Sequence, residues 1–426
     1  MNHIGEILES VPIPELYRIS YHLESEALEN PGSELRRRFD EVRELLPSID
    51  DGDKEIAVAV GSRGIHGQPD IVRALIDELK AAGMKPFIIP AMGSHAGADA
   101  AGQKAMLEGL GISEQEMGAE IRSGMEVEQI GETPSGLPVC VDARALKADG
   151  IVLVNRIKAH TSFKGIIESG LLKMSVIGLG KQKGAEICHD LGFEHMTENV
   201  LEIARLVLEK APILFGLGII EDARHEPAEI HLIPAGEIES REPALLKRAN
   251  ELLARLPFAS VDALIIDAIG KDISGTGLDT NVVGRYHTGI GSGGPSVTRI
   301  SVLDLTEATH GNGNGLGIAD FTTRRVFEKF DLAETYPNAL TSNSPVSVKI
   351  PMILPDDRSA IRAAIKTSLI RDKAAVRLVR IGNTAVIEEM EVSGSLIDEV
   401  KNHEALEILE GPYPLLFDAE GNLPLS

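Results

Sequence analysis

The sequence predicts an α/β protein: two α/β domains with mainly parallel sheets and an active-site cleft between them. Three observations predict it. Short apolar runs of strand length alternate with amphipathic runs of helix length. The strand-like runs are apolar throughout rather than alternating, as strands covered on both faces must be. The chain has 426 residues, enough for two or three domains at roughly 150 residues each.

Taken in order, the first 50 residues read as a mixed arm rich in Glu and Arg. Residues 55–60 (EIAVAV) read as a buried strand. An amphipathic helix follows over 70–82, with Ile71, Leu75 and Leu79 four apart and Gly83 where a C-cap belongs. A strand at 87–89 stands between prolines. A helix at 103–110, a strand at 150–154 (GIVLV), a helix at 197–210 and a strand at 213–217 come next. A charged helix over 242–256 bridges the two halves, with Pro243 in its first turn. The second half has strands at 263–266 and 299–303, helices at 323–330 and 361–369, and strands at 376–381 and 385–392. The expected boundary near 258 gives one domain over 1–258 and a second over 259–426, which closes the cleft.

Composition removes several classes of function. Lys and Arg number 42 against 65 Asp and Glu, a net charge of −23. That field repels phosphate backbones and anionic membranes, so neither nucleic acid nor a membrane is an expected partner. Aromatic residues are 4% and Trp is absent, leaving few platforms for stacked bases. Two cysteines, Cys140 and Cys188, exclude a disulfide framework and fit a reducing compartment. No apolar run reaches the roughly 18 residues of a membrane span. The start, MNHIGEILES, lacks a basic segment leading into an apolar one. The expected location is the cytoplasm.

In open parallel sheets ligands bind beyond the carboxyl ends of strands. Four expected strands run into polar, Gly-rich loops. Residues 55–60 lead to GSRGIHG with Arg63 and His66, and 87–89 lead to MGSHAGADAAG with His95. Residues 150–154 lead to NRIKAHTSFKG with Arg156, Lys158 and His160, and 263–266 lead to DAIGKDISGTGLDTN.

The charge reverses in one place. Residues 151–184 hold Arg156, Lys158, Lys164, Lys173, Lys181 and Lys183 against the single acid Glu168. Such an island suits a small anion, a phosphate or a carboxylate; a solvated lysine-rich surface is the alternative. Lys173 lies in GLLKMSVIGLG, where an amine desolvated by apolar neighbours is a nucleophile. A lysine that only buries its stem is the alternative. His95 and His160, among small neighbours, are acid/base candidates. His189, near Asp190, Glu194 and His195, is a candidate metal ligand, although no HExxH or paired CxxC supports a zinc site. Gly289, Gly291 and Gly294 form GxGxxG but lead into Pro295 and a strand, which excludes the dinucleotide fingerprint. GLGKQKG at 178–184 lacks Walker spacing, yet would offer lysines and backbone N–H groups to one phosphate. GNGNGLG at 311–317 reads as a flexible connection.

The ordered set GSRG (Arg63), GSHAG (His95), KAHTSFKG (His160), GLLKMSVIGLG (Lys173) and EICHDLG (His189) resembles the nickel-pincer-nucleotide-dependent lactate racemase family. These are racemases and epimerases of 2-hydroxy acids, and this chain looks like a divergent branch. The step of 16 residues from Lys173 to His189 fits the family's spacing. The resemblance covers the first domain well and the second loosely. It implies that Lys173 carries, through a thioamide, a pyridinium-3-thioamide-5-thiocarboxylic acid mononucleotide. Nickel would sit in its sulfur–carbon–sulfur pincer, with His189 as the fourth ligand. Lys164 and Lys181 would contact this cofactor, as would Asp279 and Asn281, which match an Asp-x-Asn stretch of the family. His95 and His160 would be the acid/base pair on opposite sides of the substrate, and Arg63 would hold or polarise it. The implied reaction inverts C2 of the hydroxy acid by reversible hydride transfer to the cofactor, through a bound 2-keto acid. Implied partners are a small anionic 2-hydroxy acid and the proteins that make the cofactor and insert nickel.

Val60 stands where the family has an Asp three residues before the Arg. The family's C-terminal substrate-side Lys has no clear counterpart; Lys271, Asp279, Asn281 and Arg285 lie in its region. The substrate expected is therefore a different or larger hydroxy acid than lactate. Two other classes fit the same residues: a Schiff-base lyase or dehydratase using Lys173, and a non-catalytic protein that binds a small anion or cofactor.

Overall fold

The apolar run at 55–60 has no polar face to turn to solvent, and it lies inside a sheet. The computed structural model describes residues 3–50, 52–62, 64–190 and 192–424. It divides into two units, one being Glu24–Leu253 and the other the residues up to Leu23 together with those from Ala254 onward.

The unit Glu24–Leu253 holds a five-stranded sheet in the order Lys85–Pro90, Glu55–Val60, Gly150–Arg156, Ile213–Glu221, Pro227–Pro234. The first four strands are parallel and the last is antiparallel. Helix Gln68–Ala81 buries Ile71, Leu75 and Leu79, the stripe read from the sequence. These pack with Val58, Ile88, Val152, Phe215 and Leu217 in one core. A hairpin, Val127–Glu132 with Pro138–Asp142, was not anticipated; its first strand is mostly exposed and carries little apolar signal.

The other unit holds an eight-stranded sheet. Its order is Met352–Leu354, Phe321–Thr323, Ser296–Leu305, Ser260–Ile269, Leu378–Ile381, Glu389–Ser393, Leu16–Tyr21, Leu406–Tyr413. Five strands are parallel and the last three pair antiparallel. The α/β class with mainly parallel sheets is therefore the observed one, with an antiparallel flank that the sequence did not suggest.

Three expectations about organisation change. The N-terminal arm is not part of the first domain: Leu16–Tyr21 pairs with Glu389–Ser393 and Leu406–Tyr413. Its partners lie at the far end of the chain, so no local pattern marks it. The bridging helix expected over 242–256 is Ile238–Leu252, and it belongs to the unit Glu24–Leu253. Its buried Ile238, Glu242, Leu246 and Ala249 form one stripe that faces strand Ile213–Glu221. Residues 171–189, to which the sequence assigns no element and of which 178–184 read as a glycine motif, are helical almost throughout. Among the described residues no helix is long and apolar enough to cross a membrane.

Candidate active site

In the unit Glu24–Leu253 the chain leaves strand Glu55–Val60 for one neighbour, Lys85–Pro90, and later returns to the other, Gly150–Arg156. The crevice beyond the strand ends at such a reversal is where open α/β sheets bind ligands. Gly61 lets the parts close together. A Cβ there would lie 3.2 Å from Met174 Cε and 3.4 Å from Asn155 Oδ1.

One side of the crevice is the loop between Lys158 and Ser169, whose backbones bond to each other at 2.9 and 3.2 Å. Within it the buried Glu168 accepts His160 N–H at 2.5 Å and pairs with Lys164 Nζ at 3.4 Å. Burial raises the Glu168 pKa. Ser162 N–H donates to His160 Nδ1 at 3.0 Å. A backbone N–H can only donate, so Nδ1 keeps its lone pair and the neutral ring carries its proton on Nε2. Burial first, then the charges of Lys173, His189, Lys158 and Lys164, hold the His160 pKa well below its usual value.

The other side is the helical segment 171–189. It runs as a short α-helix, Leu171–Lys173, a wide π turn, Met174–Gly178, and a second α-helix, Leu179–His189. Such widened turns are rare and recur at functional sites. Asn155 Nδ2 donates to Gly170 O at 2.8 Å, fixing the start of the segment to a strand end. Near its end, His189 Nδ1–H donates to Ala185 O at 2.8 Å. That bond puts the ring proton on Nδ1 and the lone pair on Nε2, the tautomer of a metal-ligating imidazole oriented by a carbonyl. Burial pushes the His189 pKa down to about 4, so the ring is neutral at pH 7.

Two phenylalanines draw these groups together. The His160 and Phe163 ring centroids are 4.4 Å apart, and Lys173 Nζ lies over the Phe163 ring at 5.6 Å. Phe193 stacks near Phe163 at 6.4 Å and meets the His189 ring edge-on at 5.5 Å. His160, Lys173 and His189 thus share one aromatic cluster, although 29 sequence positions separate the two histidines.

His95 follows strand Lys85–Pro90 in a loop where Gly93, Ala96, Gly97 and Ala98 all take left-handed backbone. Non-glycine residues rarely do so, and such strain clusters at functional sites. His95 Nδ1 bonds Ser62 Oγ, which sits just past the neighbouring strand. A Cβ on Gly93 would lie 3.0 Å from Ile177 Cγ2, so this loop rests on the segment that carries Lys173 and His189.

Other expected residues have different surroundings. Lys181 is buried, takes a left-handed φ of +55° inside the helix, and pairs with the buried Asp142 at 3.2 Å. It also donates to Pro90 O. Burial lowers its pKa. Its ammonium is used inside the fold rather than offered to a phosphate, which corrects the expectation for Lys181. Lys164 is likewise engaged with Glu168, and Arg156 pairs with Glu221 at 2.5 Å. Half of the cationic island is therefore spent on ion pairs, because burying those cations requires partners. Arg63 lies outside the described residues. Among the described residues, no group of three or more His, Cys, Asp or Glu side chains stands ready to hold a metal. The cluster suggested by His189, Glu194 and His195 does not form.

Asp279 and Asn281 lie in the other unit, at its own reversal point. There the chain leaves Ser260–Ile269 for Ser296–Leu305 and later returns to Leu378–Ile381. Asp279 N–H donates to Thr384 Oγ1 at 2.9 Å, across that point. Asp279 Oδ1 accepts both the backbone N–H and the Nδ2 of Asn281 at 2.9 Å, and Tyr286 O–H donates to Asn281 Oδ1 at 3.2 Å.

Sequence reasoning missed Phe163, Phe193, Ser62, Glu168, Asp142 and Glu242. Glu168 had a signal, since it is the only acid in the basic island. The others had none short of knowing the fold.

A mainly parallel sheet that brings a lysine and two histidines to one aromatic cluster beyond its strand ends defines an α/β fold with a candidate site at that place. Residues 42–199 match the family described as lactate racemase N-terminal domain. Among solved structures it is similar to the lactate racemase apoprotein from Thermoanaerobacterium thermosaccharolyticum, with 16% identity. That match covers 83% of this chain and 91% of the other, with a TM-score of 0.46. The curated proteins offer no match.

Proposed function

We propose that this protein is a racemase or epimerase that inverts C2 of a 2-hydroxy acid, using a nickel-pincer nucleotide attached to Lys173. The observation that carries the reading is the His160–Lys173–His189 cluster, which lies within the residues that match the lactate racemase N-terminal domain. The donor set fits the group. His189 is neutral with its proton on Nδ1, so Nε2 is the nitrogen that would ligate nickel. Lys173 supplies the amine for attachment, and Asp279 and Asn281 are further cofactor-binding residues. The bound cofactor would accept and return hydride at C2, avoiding a carbanion.

This chain's own residues would bind, orient and move protons. Arg63 would hold or polarise the substrate. Phe163 and Phe193 exclude water on one side, which strengthens the electrostatics there. His160 holds an Nε2 proton and donates it as a hydrogen bond to the substrate oxygen. Taking up a proton at Nδ1 requires release of Ser162 N–H. His95 is less constrained: a serine hydroxyl can donate or accept, so Ser62 permits either tautomer. The two histidines act from opposite sides of the substrate, and the enzyme works inside the cell, where the cofactor-making and nickel-inserting proteins supply it.

The test is intact mass and nickel analysis of protein co-expressed with cofactor-making enzymes. The wild type is expected to carry the adduct and nickel, and to epimerise a 2-hydroxy acid labelled with deuterium at C2. Lys173→Ala is expected to lose the adduct, and His189→Ala to keep it and lose nickel. An adduct of equal mass on Lys173→Ala would sink the reading. So would borohydride trapping of a keto acid on Lys173, which marks a Schiff-base enzyme instead.

A further inference from the structure

Lys173 is the third residue of the helix that opens at Leu171, so the first turn decides where its amine stands. That turn is capped from outside. Gly170, in the cap position, has no side chain to offer. Glu242 of helix Ile238–Leu252 supplies the acceptor instead, taking Leu172 N–H on Oε2 at 3.0 Å. Leu171 N–H bonds the same carboxyl. The approach depends on Gly170, where a Cβ would collide with the carboxyl.

Glu242 is fully buried, and its Oε1 has no hydrogen-bond partner among the described residues. Burial raises its pKa to about 7. A buried carboxyl without a cation is costly, and a leucine would serve packing alone at less cost. What the carboxyl adds is a fixed anchor for two N–H groups at the positive end of the helical segment. We propose that Glu242 is a positioning residue for Lys173, fixing the first turn and so the reach of the lysine amine. The inference rests on the proposed role of Lys173 only where cofactor loading is concerned.

The test uses the full chain with Glu242→Ala and Glu242→Gln. Two readouts need no cofactor: acylation of Lys173 by an N-hydroxysuccinimide ester, and amide exchange over 171–174. Glu242→Ala is expected to change Lys173 acylation about fivefold and to speed local exchange about tenfold, with helix Met196–Lys210 unchanged. Glu242→Gln keeps an acceptor for Leu172 N–H and is expected to stay within about twofold of wild type on both. Adduct occupancy follows the same order. If Glu242→Ala does not fold, Glu242→Met, which fills the space without an acceptor, takes its place with the same expectations. Unchanged acylation and local exchange overturn the proposal. Uniform loosening of the whole unit in the Ala and Gln variants alike also overturns it, since that marks a packing role. If wild-type protein takes no adduct at all, the proposed function fails while acylation and exchange still decide the role of Glu242.

Discussion

The two reversal points of this molecule have the same topology and different chemistry. In Glu24–Leu253 the loops beyond the strands carry lysines and histidines gathered on aromatic rings. In the other unit they carry an Asp, an Asn, a Tyr and a Thr that hydrogen-bond one another. The first set can attach a group, ligate a metal and move protons. The second fixes donors and acceptors in place, and its nearby His287 is held neutral, its pKa pushed by burial to about 4. On the proposed function, the first arrangement would supply the chemistry and the second fixed hydrogen-bonding groups, on a shared sheet architecture.

The sharpest way to break that contrast is at His160. His160→Gln keeps an amide donor but no titratable ring. Turnover is expected to fall on the order of 100-fold or more, the scale of a lost acid/base group. Adduct and nickel should remain at wild-type levels by intact mass and metal analysis. Full turnover in the variant would remove His160 from the proton-moving set. Loss of the adduct would show that the loop serves loading instead.

Acid sensitivity gives the next effect. His189 has a folded pKa of about 4, against roughly 6.5 when unfolded. The folded ring binds fewer protons, so its contribution is present above about pH 6.5 and lost as pH falls toward 4. Between pH 7 and 5 this amounts to about 2 kcal/mol. Glu242 runs the other way: raised to about 7, its contribution is present at low pH and lost as pH rises through 7. Urea unfolding of the cofactor-free protein at pH 5 and 7 checks the sign. Compared with wild type, His189→Leu should lose roughly that amount from the stability at pH 7 relative to pH 5, with the opposing Glu242 contribution common to both proteins. Equal pH dependence in variant and wild type would mean the ring is not held neutral by the fold.

How far the sequence led follows from where each partner lies. The strands and the stripe Ile71, Leu75, Leu79 were legible because their periodicity is local. His95 and His160 were legible because they follow apolar runs in polar, Gly-rich loops, and Lys173 because its sequence neighbours are apolar. What stayed hidden was non-local. Leu16–Tyr21 finds its partners only near the other terminus. Lys181 and Lys164 looked like phosphate ligands from charge alone, and only Asp142 and Glu168 reveal that they are spent on ion pairs. Glu242 read as one charge on a charged helix, yet it caps a turn 70 positions earlier.

The smallest expected effect belongs to the fixed arrangement. Asn281→Ala removes the amide that joins Asp279 to Tyr286. A hydrogen bond contributes about 1 kcal/mol net, so two lost partners predict about a 30-fold weaker hold on the cofactor at limiting supply. The reading is adduct occupancy by intact mass, taken beside the pH profile of turnover in whatever holoenzyme forms. Because nothing at Asn281 titrates, the profile should keep its wild-type shape while occupancy falls. A displaced profile would mean that this unit takes part in proton movement, and the contrast between the two reversal points would fail. Unchanged occupancy would remove Asn281 from the cofactor-binding set.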